Sequence, residues 1–442
     1  MIERIAVLMI SVGLCVSTAH ADISESGNVT PSIPSLWGSG THARVGDTVV
    51  GSVTVDDGSD LLSSWTHIGY ESTGIGTVTI DGAASTWANS AGIHIGHGGN
   101  GTLEITDGAA VGNSVARIGN GSGATGQVTV SGGATWTNSG ELYVGREGGG
   151  ALDVTTGAVV SNTNGYIGYE GGSTGAVALS GAGTTWTNSG NLNIGRGGGA
   201  TLEIADGASV SNTKGRIGYQ LGSTGAATVS GAGSSWTSSG EMYVGEYGNG
   251  TLNIADGGLV GVSGDTYVAK LPGSTGALNF GAGGGALTTG GFLGAASDLS
   301  GTGTINAGSL VTDVDLDFDA AHGLTQTVVL SAPGRNITVN LDVDGSGSTG
   351  AGYGGNGSMD ISADLDVQST TGYVAYGAGS TGTVTVSGAG SAWTNSGMLY
   401  VGRYGSGTLH INNGAAVTSI RSYIGHYPGS TGVVTVSGAG ST

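Results

Sequence analysis

Apolar and polar residues alternate along most of this chain in short runs. Gln127–Ser131 carries Val128 and Val130 on one side of a period-two pattern, and Ala151–Thr155 repeats it with Leu152 and Val154. A Gly-Ala turn follows each run. Next comes a second run with a large apolar residue two positions before an Asn, as Trp136 with Asn138 and Val160 with Asn162. A third run ends in Gly, as Leu142, Val144, Gly145 or Ile167, Gly168. Strict alternation over so few residues predicts half-buried strands. Three such runs recur about every 25 residues, doubled to about 50 by a Trp/Val alternation. A period of this length belongs to stacked architectures, because one unit is too small to bury its own apolar face.

The predicted fold is all-β: a right-handed parallel β-helix, or β-solenoid, with about 25 residues and three short strands per coil. Each coil adds about 4.8 Å, the spacing of neighbouring strands. Trp87, Val111, Trp136, Val160, Trp186, Val210, Trp236 and Val260 then share one column in consecutive coils. Valine replaces tryptophan there, so the column is predicted to be interior, with large and small alternating to fill it. Asn89, Asn113, Asn138, Asn162, Asn188, Asn212 and Asn395 lie two residues further on the same face, placed to hydrogen-bond the backbone of neighbouring turns.

The pattern divides the chain. Residues 1–21 read as a secretory signal, with Arg4, an apolar stretch from Ile5 to Val16, and Ala19-His20-Ala21 as the cleavage site. Residues 22–50 form a mobile lead-in and a degenerate first turn, and 51–276 hold regular coils. Residues 277–356 are degenerate coils and an irregular acidic spacer. Regular coils return over 357–442, and the next expected Trp would fall one residue beyond Thr442, which reads as a truncated repeat. Within the spacer, Asp313–Asp319 and Asn336–Asp344 still alternate strictly and are predicted to be strands with one wet face.

Composition narrows the partners. Glycine contributes 94 residues at fixed places in the units, as turns require, and only five prolines occur. The net charge of −20 argues against nucleic acid and suits an exported protein that stays soluble. Cys15, the one cysteine, falls inside the signal, so the mature chain has no thiol chemistry and no apolar run long enough to span a membrane.

Candidate chemistry lies on two faces. The outward column of the third strand carries His67, His94, Arg117, Tyr143, Tyr166, Arg216, Tyr243 and Tyr400, with a second column just past it holding Arg146, Tyr169, Arg196 and Arg403. Every basic residue after the signal except Arg335 lies along this stripe. Stacked Tyr and Arg either brace one another or offer an elongated site for a glycan or anionic polymer, with Arg117, Tyr143, Tyr166, Arg216, Tyr243 and Tyr400 as the contact residues. In the spacer, Asp315 and Asp317 are expected to fall close to one coil from Asp342 and Asp344. Such carboxylates suit calcium or an acid/base pair for polysaccharide cleavage. No nucleophile elbow, phosphate loop or His-Glu-x-x-His occurs, and the histidines are not expected to cluster. No catalytic residue and no other cofactor is indicated.

The units GSTGxVTVSGAGSxWTNSGxLYVGRxGxGTLxIxDGAxVSN, from Gly172, Gly222 and Gly379, closely resemble a bacterial repeat associated with type V secretion (autotransporter) and PEP-CTERM exported proteins. The resemblance covers Gly51 to about Gly276 and Gly357 to Thr442. It implies a passenger-like, non-enzymatic surface or extracellular solenoid of a Gram-negative bacterium, outer membrane-associated or released. Its implied partners are extracellular glycans or other surface proteins. Neither a barrel pattern nor a sorting tail occurs up to Thr442.

Overall fold

The computed structural model describes residues 22–442; the signal predicted over residues 1–21 lies outside them. The chain is a parallel β-solenoid of about 25 residues per coil. Gly101 pairs with Gly126, Gly126 with Gly150, and Gly150 with Gly175, each in the parallel sense. One coil consists of Gly149–Thr155, Val159–Asn162 and Gly165–Ile167; the next of Thr174–Ser180, Thr185–Asn188 and Leu192–Ile194. In these regular coils each strand pairs with its counterparts one coil above and below, so the alternating side chains meet in a single interior.

Glycine closes most bends where the third strand passes into the first strand of the next coil, and Ala269 and Ala375 hold the same positive-φ corner in two coils. Gly145 has φ +72°, and a Cβ there would stand 2.1 Å from the carbonyl oxygen of Thr174 on the coil above. At Gly145 a side chain would therefore have to displace the coil above, which is why glycine is the usual residue at this corner.

The Trp/Val column is interior. Trp136, Trp186, Trp236 and Trp393 are 0% exposed, and Val160 sits directly between Trp136 and Trp186 in register. A second alternation accompanies the first. Trp coils begin their third strand with Leu192, Met242 or Leu399, where the preceding Val coils have Gly165, Gly215 and Gly372. A Cβ on Gly165 would lie 2.9 Å from Leu192 and 3.0 Å from the Trp186 ring. Bulky and lean coils therefore interlock in pairs, which accounts for the doubled period.

The Asn column differs from expectation in its partners. The indole N–H of Trp136, Trp186 and Trp236 donates to Asn113, Asn162 and Asn212 at 2.8, 2.6 and 2.6 Å, always one coil earlier. Asn113 and Asn162 in turn donate to Asn138 and Asn188, both at 2.6 Å. The backbone of neighbouring turns is the expected partner, and only Asn188 and Asn395 reach it, at 3.4 and 3.2 Å; Asn89 instead accepts from the N–H of Ala91 in its own turn, at 3.1 Å. A buried indole donor needs an acceptor, and the Asn side chain is the nearest one the column offers. Trp393 lacks it. Ser369 replaces Asn one coil earlier and gives its hydroxyl to Asn395 at 2.7 Å, leaving the indole nitrogen buried without a partner.

Two segments depart from the sequence reading. Asp22–Gly27 is no loose lead-in: it pairs antiparallel along Val50–Asp56, and Val29–Thr30 does the same to Ala43–Val45. Ile23 packs against the core, and the antiparallel strands cover the edge of the first coil. In the spacer the predicted strand Asp313–Asp319 shrinks to Leu316–Phe318. An antiparallel hairpin, Thr325–Ala332 with Arg335–Asp342, is inserted after it. Arg335–Asp342 stacks on Leu299–Ala307, whereas Leu316–Phe318 stacks under Asn356–Ile361. The two acidic runs therefore do not lie one coil apart.

Candidate functional site

The third strands carry a spine along the outside of the solenoid. Arg117, Tyr143, Tyr166, Asn193, Arg216, Tyr243 and Tyr267 occupy successive rungs in register. The column does not lapse in the spacer. It continues as Leu293, Val311 and Gly350 to Tyr373, Tyr400 and Tyr423. Above Gly350 the missing side chain is replaced from the second column by Tyr353 and Tyr376, whose rings stack at 4.7 Å. They form a small apolar cluster outside the coil with Leu293, Ala295, Val311 and Tyr373.

Neighbouring rings face each other along the solenoid axis. Tyr143 and Tyr166 stack at 5.0 Å, Tyr243 and Tyr267 at 5.3 Å, and Tyr373, Tyr400 and Tyr423 at 5.4 and 5.0 Å, all within 17° of parallel. One face of each of these rings, and both faces of Tyr400, are thus taken by other rings. Tyr143 and Tyr243 are only 8% and 6% exposed. Burial and the neighbouring Glu141 push the Tyr143 hydroxyl above the ordinary tyrosine range; it donates to Glu141 at 2.8 Å. A sugar stacking flat, the simplest form of the glycan reading, cannot use the faces that these rings turn to each other.

Basic side chains brace the spine from the second column. Arg196 lies 4.1 Å over Tyr169, Lys270 4.0 Å over Tyr243, and Arg403 4.4 Å over Tyr376. Glu246 receives Arg216 at 2.9 Å and Lys270 at 3.6 Å, closing a half-buried triad. Burial lowers the Lys270 ammonium, and Glu246 opposes that shift.

The six stripe residues read from the sequence fall into three separate runs: Arg117 with Tyr143 and Tyr166, Arg216 with Tyr243, and Tyr400 between Tyr373 and Tyr423. The carboxylate site does not assemble. No three of Asp315, Asp317, Asp342 and Asp344 bring ligand atoms within 4.8 Å of one another. Asp315 accepts from the backbone N–H and hydroxyl of Ser358 at 3.1 and 2.6 Å, and Asp317 stands beside Asp360. Asp342 accepts from Thr325 at 2.7 Å across the hairpin, and Asp344 from the N–H of Ser346 at 2.9 Å. The inserted hairpin separates the two runs.

Conversely, histidines that read as scattered do meet. His67, His94 and His97 bring one nitrogen each within 4.8 Å of the others. They are 27 and 3 residues apart along the chain, so no local motif reveals them; the 25-residue register, carried into the second column, does. No family model, no curated protein and no solved structure matches the chain.

Proposed function

We propose that the chain is an exported structural solenoid, a stiff stalk or extracellular scaffold that holds and contacts other surface components rather than transforming them. The observation that carries this reading is the outer spine. Coils already joined by strand pairing and a common interior are tied again from outside by ring stacking and cation–π contacts. A second tie between successive coils raises the cost of peeling one away, which suits a load-bearing element. The likeness of the repeat to autotransporter and PEP-CTERM exported repeats, together with the signal pattern before Asp22, supports an extracellular or surface setting in a Gram-negative cell. Exposed hydroxyl edges and guanidinium groups suit contact with glycans or neighbouring surface proteins.

The test is expression with the native leader in a Gram-negative host, followed by N-terminal mass spectrometry and incubation with neutral and anionic polysaccharides. The expected product is exported and begins at Asp22, and it leaves the chain length of each polysaccharide unchanged. Retention in the cytoplasm with an intact leader, or steady release of shorter saccharides, overturns the proposal.

A further inference from the structure

We propose that His67, His94 and His97 form a binding site for one late first-row transition metal ion, zinc(II) foremost, on the outer spine near the N-terminal end. His67 and His94 sit on consecutive rungs of one column, in register. His97 reaches back from the second column past the bend at Gly96, whose φ is +70°. The ring centroids are 4.9, 4.5 and 5.4 Å apart, and the three nitrogens lie within 4.8 Å of one another. Imidazole nitrogens around a tetrahedral zinc stand roughly 3.3 Å apart at bonds of about 2.0–2.1 Å, so modest ring rotations close the site. Three imidazoles without a thiolate or carboxylate suit zinc, copper or nickel and disfavour calcium or magnesium.

Packing alone does not account for three histidines here. The same three positions are Tyr143, Tyr166 and Tyr169 further along, where the rings touch at 5.0, 4.8 and 5.1 Å. Tyrosine therefore meets the spine's demand for flat rings. Histidine instead leaves Nδ1 of both His67 and His94 buried without a hydrogen-bond partner. An unsatisfied buried nitrogen is costly unless something occupies it. His97 is oriented as metal-binding histidines usually are, with Nδ1 3.3 Å from the carbonyl oxygen of Tyr70, leaving Nε2 free.

One group opposes the ion. Arg117 places Nη1 2.7 Å from Nε2 of His94. A metal on either nitrogen of that ring ends this bond: on Nε2 it replaces the guanidinium, and on Nδ1 it leaves Nε2 carrying the proton. Arg117 is thus a built-in competitor, and its removal favours the ion.

The test uses the full chain, stripped with a chelator, titrated with zinc(II) by calorimetry and with copper(II) by fluorescence. Trp65 reports the latter, since its ring lies 5.3 Å from that of His94 and copper(II) quenches nearby indoles. The comparison is His67→Tyr, His94→Tyr and His97→Tyr combined, which recreates the tyrosine trio and preserves the spine, with circular dichroism to check that it folds. Expected are one zinc per chain in the wild type, loss of that binding in the triple variant, and weakening by more than about tenfold in each single variant. Arg117→Gln tightens binding by up to about tenfold. Absence of zinc binding in the wild type, or the same stoichiometry and affinity in a folded triple variant, overturns the site.

Discussion

Two ladders run along this solenoid, one inside and one outside, and they obey different rules. Inside, indoles alternate with valines, because coils about 4.8 Å apart cannot each hold a Trp in the same place. The indole N–H of Trp136, Trp186 and Trp236 is met by an Asn from the coil before, and that of Trp87 by Ser63, so the working unit is a pair of coils. Outside, like stacks on like at 5.0–5.4 Å, with ring edges partly wet. Where water is excluded, a column fixes its residues closely, since every buried donor needs a partner. Where water reaches, the column needs only a flat or apolar side chain. The outer column is accordingly His at one point and Tyr at another, and turns to Leu293 and Val311 in the spacer, where Tyr353 and Tyr376 bury it.

The sharpest way to break this contrast is to truncate one residue of each ladder. Trp186→Ala, at a 0% exposed site, is expected to cost about 3–5 kcal/mol in denaturant unfolding. A cost no greater than that of an outer ring would erase the distinction. Acidification comes next. In the folded chain burial holds His67 at about 4 and His94 at about 3, below the ordinary value, so the unfolded chain takes up protons first. Their contribution is complete above about pH 6.5 and is lost as the pH falls from there toward the folded values. His67→Tyr with His94→Tyr should flatten that part of the stability–pH curve, measured with chelator present. Ser369→Asn is expected to add about 1 kcal/mol by supplying the acceptor that Trp393 lacks. Tyr166→Ala, which loses a stacked neighbour on a half-exposed site, should cost about 0.5–1.5 kcal/mol beyond its lost area in the same unfolding experiment.

Much of the fold was legible because it is periodic. The alternation of Val128 and Val130, the Gly145 bend and the Trp/Val exchange each imply stacked coils, and all appear as read. What was not legible lay where the period slips or where partners come from another coil. The hairpin Thr325–Asp342 has ordinary strand alternation, so nothing in its residues distinguishes an antiparallel insertion from another coil. Leu293, Val311 and Gly350 continue the outer column through coils of unequal length, beyond the reach of a fixed step. The histidine trio needed two columns to be laid side by side. The direction of the stacked Tyr rings, which decides whether a sugar finds a free face, depends on side-chain angles that no spacing encodes.

The central claim is that the indoles are locked inside by the preceding coil's asparagines. Hydrogen exchange at the indole nitrogens of the full chain tests it most directly. The account predicts that Trp136, Trp186 and Trp236 exchange only when the solenoid unfolds, while half-exposed Trp65 exchanges quickly. Exchange of those three at the rate of Trp65 under native conditions would contradict it.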